Sequence, residues 1–441
     1  MNNKNFFNFI TLLIIDILSF LILFYLSLWI RNHIQSQNIP PFNVISLKDF
    51  IFVIVIILFL LISEKIYIFR YDFWQETNKI IKSIFLAYLL TLTILALMKS
   101  NQEYSRLFIT IYFLLAIITI PIIKRYTKKL LYSFRFLQKN VLLIGDDTQK
   151  NRFQKEFTDN FYLGQRYTTG DDYDFVIVIS KGMCTDHLEE LIHKYIDKSD
   201  GLYIIPYVSD INFAHSTILE YSNIQSNSFY IENRLLIKRN IFIKNMFDKL
   251  FVLSILPIFL FIHIIISILI KIDSKGKIFF KQPRLGKNNR NFLCYKYRTM
   301  YENSDNLLEI YLKNHPEEIE YYETYHKYKN DPRITKIGNI LRATSLDEMP
   351  QILNILRDEM SLVGPRPYML EESEKLGDSK QFILKVKPGI TGLWQVSGRN
   401  NLSFKERNKL EVWYIKNWFF WDDFIILIKT IKVVLMKIGA K

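Results

Sequence analysis

Two adjacent acidic residues, Asp347 and Glu348, lie a short way before a glycine-proline turn that carries Arg366. A carboxylate can act as a nucleophile or bind a hard divalent cation. A guanidinium held between two prolines can bind phosphate oxygens without first losing much conformational freedom. These residue types in this order are typical of phosphate chemistry. The acid pair by itself is weak evidence, because acidic residues are common on the solvated surface of almost every protein.

The residues around the acid pair allow two interpretations. Ser345 followed three residues later by Glu348 fits a helix capping box, in which Glu348 would have a structural role. Pro350 favours a helix that begins nearer Asp347, because proline is best tolerated in the first turn. Both carboxylates would then lie at a helix N-terminus, where the helix dipole favours negative charge and bound phosphate. We expect the apolar residues that follow to form the buried face of this helix: Ile352, Leu353, Ile355 and Leu356.

Four further sequence blocks surround the acid pair. They read FKQPRLG at 280–286, KYRTM at 296–300, DPRIT at 331–335 and KPGITGLWQVSGRN at 387–400. Because several separate blocks agree in order and spacing, residues 238–441 resemble the bacterial sugar transferase family, the monotopic polyprenyl-phosphate phosphoglycosyl transferases. The resemblance implies a mainly α-helical catalytic domain that transfers a sugar 1-phosphate from a UDP-sugar to undecaprenyl phosphate. It also implies Mg²⁺ as the cofactor and UMP as the second product.

The resemblance assigns roles to individual residues. Asp347 would attack the sugar-bearing phosphorus and form a covalent phosphosugar, and Glu348 would position both Asp347 and the magnesium ion. Arg366 is the first candidate for binding the substrate phosphates. Gln395 and Arg399 would contact the substrate less directly. Four other basic residues would neutralise the two phosphates: Arg284, Lys296, Arg298 and Arg342. For Arg284, Lys296 and Arg342, lipid headgroups are the alternative ligands.

Hydrophobic residues make up 50% of the 441 residues and are concentrated in long runs. A run of about 20 apolar residues can cross the hydrocarbon core of a membrane as a helix. Asp16 lies inside the first run, and because a carboxylate is costly against lipid we expect it to face another helix. Within residues 1–130 we predict four transmembrane helices: Phe6–Ile30, Phe50–Ser63 extended to Phe69, Ile80–Met98 and Leu107–Ile123.

The distribution of basic residues predicts the orientation of these helices. Lysine and arginine are dense in residues 124–139 and in the loop 70–82, and sparser in the other two loops. By the positive-inside rule both termini lie in the cytoplasm, at a bacterial inner membrane. A cleaved signal peptide is not expected, since the first apolar run is too long and lacks a small-residue cleavage site. The net charge of +14 suits anionic lipids and substrates, and nucleic acid is not expected as a partner because the basic residues flank apolar runs.

Residues 139–236 have the composition of a soluble α/β domain. Short apolar runs at Asn140–Gly145, Phe175–Ser180 and Leu202–Val208 predict strands, and Asp186–Ile196 predicts a helix between them. We therefore expect a Rossmann-like parallel sheet. The GxGxxG fingerprint is missing after the first strand, so we expect an accessory domain without a redox cofactor.

Two other functions fit parts of the sequence. A membrane-anchored nucleotide-sugar epimerase or dehydratase would need a dinucleotide fingerprint and a Tyr-xxx-Lys pair. Tyr325 and Lys329 have that spacing but lie outside the α/β domain. A non-enzymatic regulator of polysaccharide chain length would not need the sugar transferase blocks. Cys184 and Cys294 lie in segments assigned to the reducing cytoplasm, so we predict no disulfide, and no Cys-His group has zinc-ligand spacing.

The apolar run Phe247–Ile270 could cross a membrane by its length alone. A crossing here would move Asp347 to the far side of the membrane, away from nucleotide sugars made in the cytoplasm. Pro257 near its middle removes a helical hydrogen bond and favours a kink. We therefore predict a re-entrant helix over residues 244–271, as the family resemblance also implies. We also predict one amphipathic surface helix over Leu410–Met436, with an ordinary core helix packed through its aromatic residues as the alternative.

The predicted fold class is a membrane protein of mixed α and α/β structure. Its parts are a four-helix transmembrane region (1–130), a Rossmann-like α/β module (139–236) and a mainly α catalytic domain with a re-entrant membrane helix (238–441). Residues 393–400, 413–418 and 432–435 are similar to those of family members that initiate O-antigen, capsule or exopolysaccharide with galactose 1-phosphate, and glucose 1-phosphate is the alternative. A homodimer is a further expectation.

Overall fold

The chain divides by its internal contacts into two units, Met1–Val208 and Ser209–Lys441. The computed structural model describes residues 3–34, 46–98, 105–196, 198–199, 201–206, 211–221, 226–302, 304–315, 318–319, 328, 331–398 and 402–436. Three candidate residues from the sequence analysis lie outside these ranges: Tyr325, Lys329 and Arg399. The division into domains at 130, 139, 236 and 238 stays a prediction.

The first unit begins with four apolar helices: α1 (Asn3–His33), α2 (Leu47–Ser63), α3 (Phe73–Leu97) and α4 (Arg106–Leu131). By length and composition α1, α3 and α4 can each cross a membrane. The α2 helix has 17 residues, close to the minimum for a span. Its predicted extension to Phe69 is wrong. The helix ends at Ser63 because Lys65 adopts a left-handed backbone conformation, with φ of 56°.

Aromatic rings from three of these helices form the centre of the bundle. Phe24 of α1, Phe50 of α2 and Tyr112 of α4 are all buried. The ring centroids of Phe24 and Phe50 lie 5.1 Å apart, and those of Phe50 and Tyr112 lie 4.9 Å apart. The large apolar side chains that predicted the spans therefore also hold the helices together.

Asp16 of α1 is paired inside the bundle. Its carboxylate lies 2.7 Å from Lys124 Nζ of α4, and both side chains are only 1% exposed. The Tyr67 hydroxyl donates a hydrogen bond of 2.6 Å to the same carboxylate. Glu76 of α3 and Lys128 of α4 form a second buried ion pair. The expectation that Asp16 faces another helix is confirmed, and removing one partner of such a pair typically costs about 3–5 kcal/mol.

A four-stranded parallel sheet follows the bundle in the chain. Its strands are β1 (Lys139–Ile144), β2 (Gln165–Thr168), β3 (Phe175–Ile179) and β4 (Leu202–Ile205), and their order in the sheet is β2-β1-β3-β4. The central strand β3 is buried along its whole length, which explains its continuous apolar sequence. The sequence did not predict β2, because its four residues, QRYT, have no apolar run. The described α-helices of this α/β domain are α5 (Asp147–Asp159) and α6 (Thr185–Tyr195).

The second unit is mainly helical, with short strand pairs. Strands β5 and β6 form an antiparallel hairpin, as do β7 and β8, whereas β9 and β10 pair in parallel. A core of buried apolar side chains joins the helices to β7, β8 and β9. Its described elements are β5 (Thr217–Tyr221), β6 (Ser226–Tyr230), α7 (Lys238–Asp273), β7 (Phe279–Leu285), β8 (Asn291–Tyr297), α8 (Asp305–Asn314), α9 (Lys336–Ala343), α10 (Ile352–Leu356), β9 (Ser361–Val363), α11 (Lys380–Ile383), β10 (Gly389–Thr391), α12 (Leu393–Val396), α13 (Phe404–Asn417) and α14 (Phe420–Leu435).

The α7 helix runs without interruption from Lys238 to Asp273 and contains Pro257. It too is long and apolar enough to cross a membrane. Pro257, where the sequence predicts a kink, therefore does not end the helix, and the re-entry of α7 into a membrane remains a proposal. The α7 residues that are buried recur at helical spacing along one face: Lys244, Asp248, Val252, Phe259, Ile266 and Ile270.

The predicted single helix over Leu410–Met436 is wrong. The segment forms two helices, α13 and α14, separated by Trp418 and Phe419 in extended conformation. Tyr414 and Trp418 lie in the core of the unit and not on its surface. Aromatic residues in an amphipathic pattern suit both a membrane surface and a protein core, so their sequence pattern alone could not distinguish the two.

Candidate active site

The acid pair lies in a short 3-10 helix, Leu346–Gln351. Ser345 before it adopts a left-handed conformation (φ 56°), which is uncommon for a residue other than glycine, and its side chain makes no capping hydrogen bond. The capping-box interpretation of Glu348 is therefore wrong. Glu348 instead accepts a hydrogen bond of 2.7 Å from Lys296 Nζ. Asp347 and Glu348 both occupy the first turn of this helix, as Pro350 predicted.

The next helix, α10, is fixed to strand β8 by a buried amide. Asn354 is fully buried. Its Oδ1 accepts a hydrogen bond of 3.1 Å from the Tyr295 N–H, and its Nδ2 donates one of 2.8 Å to the Leu293 carbonyl. Ile352 and Ile355 lie in the apolar core, as predicted. Because Lys296 is the next residue on this strand, the amide sets its position relative to the acid pair.

The surroundings of Asp347 make its carboxylate unusually basic. Burial raises the pKa of Asp347 to about 6, and the neighbouring Glu348 acts in the same direction. Lys296 and Arg342 act in the opposite direction, since a nearby cation favours the ionised form. At neutral pH the Asp347 carboxyl group is still mainly ionised, but it is a stronger base than an ordinary aspartate. Such a carboxylate is well suited to nucleophilic attack.

Arg342 is brought to the acid pair by α9. Its Nε donates a hydrogen bond of 2.9 Å to the Thr299 hydroxyl. Burial lowers the pKa of the Arg342 guanidinium, whereas Asp347 and Asp331 favour its charge. Asp331 also binds Arg333 through two nitrogens, at 2.8 and 2.7 Å. The Thr335 N–H donates a hydrogen bond of 3.0 Å to the Thr299 carbonyl, so the DPRIT block supports the residue that binds Arg342.

The turn that carries Arg366 is held by a buried acid. Glu411 of α13 is 2% exposed and accepts a hydrogen bond of 2.7 Å from the Arg366 N–H. It also accepts one from the Tyr368 hydroxyl. Burial raises the pKa of Glu411 to about 7. The Arg366 side chain is partly exposed, with Nη2 3.8 Å from Glu372 Oε1. Its backbone is thus fixed while its guanidinium remains available to a ligand.

The same turn packs closely against the block that begins at Lys387. A Cβ atom on Gly364 would lie 2.7 Å from the Lys387 carbonyl oxygen, closer than real Cβ contacts allow. Only glycine therefore permits this approach of the two backbones. The parallel pairing of β9 with β10 lies immediately beside it. Two blocks that are separate in sequence thus form one structural support.

Arg284 of β7 also supports the turn. Its side chain is 6% exposed, and its Nη1 donates a hydrogen bond of 3.0 Å to the Pro367 carbonyl. Burial and the nearby Arg366 lower the pKa of Arg284, and Glu348 favours its charge. Arg284 therefore lies within electrostatic range of both Arg366 and the acid pair. Its hydrogen bonds indicate that Arg284 helps to position the turn.

Three other candidate residues have a different placement. Arg298 donates hydrogen bonds to the carbonyl and hydroxyl of Ser274, at 2.7 and 2.9 Å, so it holds the chain that leaves α7. Gln395 donates a bond of 3.3 Å to the Ile390 carbonyl. Within the described part of the chain, neither Arg298 nor Gln395 contacts the acid pair. Arg399 lies outside the described residues.

The donor set fits a magnesium ion better than zinc. Asp347 and Glu348 are hard oxygen donors. The described part of the chain contains no group of three or more His, Cys, Asp or Glu side chains around a common point. Mg²⁺ is commonly held by one or two carboxylates together with water and substrate phosphate oxygens. The two carboxylates therefore fit the role that the family resemblance implies.

Sequence reasoning missed Asn354 and Glu411, since neither belongs to a charged motif. A signal for Glu411 was available. It shares one face of α13 with Asn408 and Ile415, three or four residues apart, and this face packs into the core. A carboxylate at an otherwise buried position needs partners, so such a residue is a candidate for holding a neighbouring backbone.

Comparison with known proteins finds the same family that the sequence blocks resemble. Residues 239–437 match the bacterial sugar transferase family. Over 99% of its length the chain is 30% identical to an uncharacterised sugar transferase of Haemophilus influenzae, of which it covers 100%. It is also 30% identical to the undecaprenyl-phosphate galactose phosphotransferase of Salmonella typhimurium, with 96% of each chain covered.

A third relative matches over a shorter region. This is the UDP-glucose:undecaprenyl-phosphate glucose-1-phosphate transferase of Escherichia coli, 30% identical over 58% of this chain and 53% of its own length. The family match covers the acid pair and every described candidate residue, and the relatives extend it to the whole chain. The chain belongs to the bacterial sugar transferase family and is a phosphoglycosyl transferase.

Proposed function

We propose that this protein transfers a sugar 1-phosphate from a UDP-sugar to undecaprenyl phosphate, releases UMP and initiates the synthesis of a surface polysaccharide. The observation that carries the proposal is the basic, partly buried carboxylate of Asp347, placed beside Glu348, Lys296 and Arg342. This is the arrangement that an acid nucleophile needs if it is to attack a doubly charged diphosphate.

The reaction would proceed in two displacements. An Asp347 oxygen attacks the sugar-bearing phosphorus, the bond to the bridging oxygen breaks, and UMP leaves with that oxygen. A phosphate oxygen of undecaprenyl phosphate then attacks the same phosphorus and releases Asp347, giving a lipid diphosphate sugar. Lys296 and Arg342 neutralise charge at the acid pair, and Arg366 binds the phosphates. Mg²⁺, held by Asp347 and Glu348, would supply further neutralisation of the diphosphate.

Asp347→Asn should reduce turnover by about a thousandfold or more, because an amide cannot act as the phosphorus nucleophile. Wild-type enzyme incubated with UDP-sugar and Mg²⁺ alone should accumulate a covalent phosphosugar, since the first displacement does not need the lipid. Intact-protein mass spectrometry would detect this adduct.

Glu348→Gln is the matched control for the adduct experiment. It changes one carboxylate to an amide in the same helical turn, and it should slow the reaction without removing the adduct. If wild-type enzyme releases UMP only when lipid is present, and no adduct forms, the displacement is a single step and Asp347 is not the nucleophile.

The activity should depend on pH through Asp347. Because its pKa is raised to about 6, kcat/KM for the UDP-sugar should fall as the pH decreases through about 6. An aspartate with the ordinary value of 3.8 would lose activity only near pH 4. Glu411 is the other acidic residue at the site whose pKa is raised, to about 7. In Glu411→Gln the acid limb should keep its position even if turnover falls. A limb near pH 4 in wild type would show that Asp347 has an ordinary pKa in the working enzyme, as a magnesium ion bound to its carboxylate would cause.

Galactose 1-phosphate is the proposed group, with glucose 1-phosphate as the alternative. The galactose phosphotransferase of Salmonella typhimurium matches nearly the whole chain, whereas the glucose 1-phosphate transferase of Escherichia coli matches about half of its own length. With undecaprenyl phosphate as acceptor, UDP-galactose should release UMP faster than UDP-glucose. Faster release from UDP-glucose would reverse the sugar assignment, and release from neither would contradict the transfer itself.

The site is proposed to face the cytoplasm, with α7 lying on one side of the membrane. Lys244 Nζ near the start of α7 lies 2.6 Å from Asp423 Oδ2, and Asp273 Oδ2 at its end accepts a hydrogen bond of 3.0 Å from the Ile337 N–H. Both ends therefore bond to the same unit. A helix that crossed about 30 Å of hydrocarbon would place its ends in different aqueous phases.

Cysteine labelling of cells tests this placement. In a Cys184→Ser background, Asn245→Cys and Lys271→Cys should both resist a membrane-impermeant maleimide in intact cells and react after permeabilisation. Reaction of Lys271→Cys from the periplasmic side alone would show that α7 crosses the membrane.

A further inference from the structure

The α/β domain of the first unit contains a cavity of about 550 Å³ for which the proposed sugar transfer has no role. It lies where strands β1 and β3 end. Small-molecule sites typically have volumes of about 300–1,000 Å³, so the cavity can hold a ligand of ordinary metabolite size. The lining residues that matter here are Gly145, Asp146, Lys150, Lys181, Met183 and Cys184.

The sheet topology makes this position special. In the order β2-β1-β3-β4 the chain first moves outward from β1 to β2 and then returns to place β3 on the other side of β1. The connections after β1 and β3 therefore run in opposite directions and leave a crevice between them. Parallel α/β sheets bind their ligands in such a crevice, beyond the carboxyl ends of the strands.

Two glycines keep the crevice free of side chains. Gly145 has φ of +137°, and a Cβ there would lie 2.7 Å from the Ile179 carbonyl oxygen. Gly182 has φ of +74°, and the space around its Cβ position is open to 4 Å. Both loops thus adopt conformations that favour glycine. The result is open space directly beyond the two central strands.

The polar side chains at the cavity are of both signs. Lys181 Nζ lies 3.3 Å from Asp146 Oδ2, and Lys150 Nζ lies 2.9 Å from Asp147 Oδ1. The Thr148 hydroxyl and Lys181 lower the pKa of Asp146, which keeps it ionised. Exposed pairs of this kind are weak, so a ligand can replace them. The two ammonium groups suit a phosphate, and the Asp146 carboxylate beside Lys181 suits sugar hydroxyls.

We propose that this cavity binds a nucleotide, that is, a nucleoside with one or two phosphates. Lys150 and Lys181 would bind the phosphate, Asp146 would accept hydrogen bonds from the ribose hydroxyls, and Met183 would contact the base. The site has no redox function in this proposal. The missing GxGxxG loop removes a dinucleotide pyrophosphate cradle but not a site formed by side chains.

Cys184 gives a direct readout of occupancy. It is exposed and lines the cavity, whereas the other cysteine, Cys294, is buried in the second unit. The full-length protein in lipid nanodiscs is treated with N-ethylmaleimide, and the rate of Cys184 alkylation is followed by peptide mass spectrometry. The probes are UMP, AMP, adenosine and inorganic phosphate. Because the readout is local to the cavity, its outcome does not depend on whether sugar transfer takes place.

At ten times its Kd, UMP or AMP should slow Cys184 alkylation about tenfold. Lys150→Gln combined with Lys181→Gln should remove this protection. Lys155→Gln is the matched control, because Lys155 is exposed on the same α5 helix but does not line the cavity, and it should keep full protection.

Three results would overturn the proposal. The first is no protection of wild type by either nucleotide. The second is equal protection by adenosine or by inorganic phosphate alone, since a nucleotide site needs both parts of its ligand. The third is protection in the double variant that equals protection in Lys155→Gln.

Discussion

The site depends on holding two adjacent carboxylates in a partly buried position beside fixed cations. Burial and the neighbouring Glu348 raise the pKa of Asp347 to about 6, which corresponds to roughly 3 kcal/mol in favour of its protonated form. Lys296 and Arg342 limit this cost. The balance leaves Asp347 ionised at neutral pH and still more basic than an exposed aspartate. A fully exposed pair would be less basic, and a fully buried one would be protonated.

This balance is maintained by buried polar groups that act on the backbone. Asn354 bonds to the main chain of Leu293 and Tyr295 on β8 and so fixes the next residue, Lys296. Glu411 binds the backbone of the turn that carries Arg366. Neither residue needs to touch a substrate. Because a buried polar group without partners is costly, each one permits a single arrangement of the segment that it holds. The segments that carry Lys296 and Arg366 are thus positioned by hydrogen bonds between buried side chains and the backbone.

The sequence predicted what long-range periodicity and motif order can specify. Apolar runs predicted α1 to α4, and the β-branched run FVIVIS predicted β3, because burial dictates residue type at each position. It could not predict β2, whose polar residues pair only through their backbone. It also failed to separate α13 from α14, and it could not show that Arg298 bonds to Ser274. Such outcomes depend on tertiary contacts that one residue type cannot encode.

The two sets of apolar helices satisfy their charges differently, and this difference bears on how the enzyme meets its lipid substrate. In the bundle, Asp16 pairs with Lys124 of another apolar helix. In α7, Lys244 pairs with Asp423, and Asp248 accepts a hydrogen bond of 2.5 Å from Ser361. Both partners belong to the second unit, so this unit contains its own apolar helix, joined to the strand that leads into the Arg366 turn. If α7 sets the depth of the unit at a membrane surface, then the same contacts set the height of the phosphate site above the lipid.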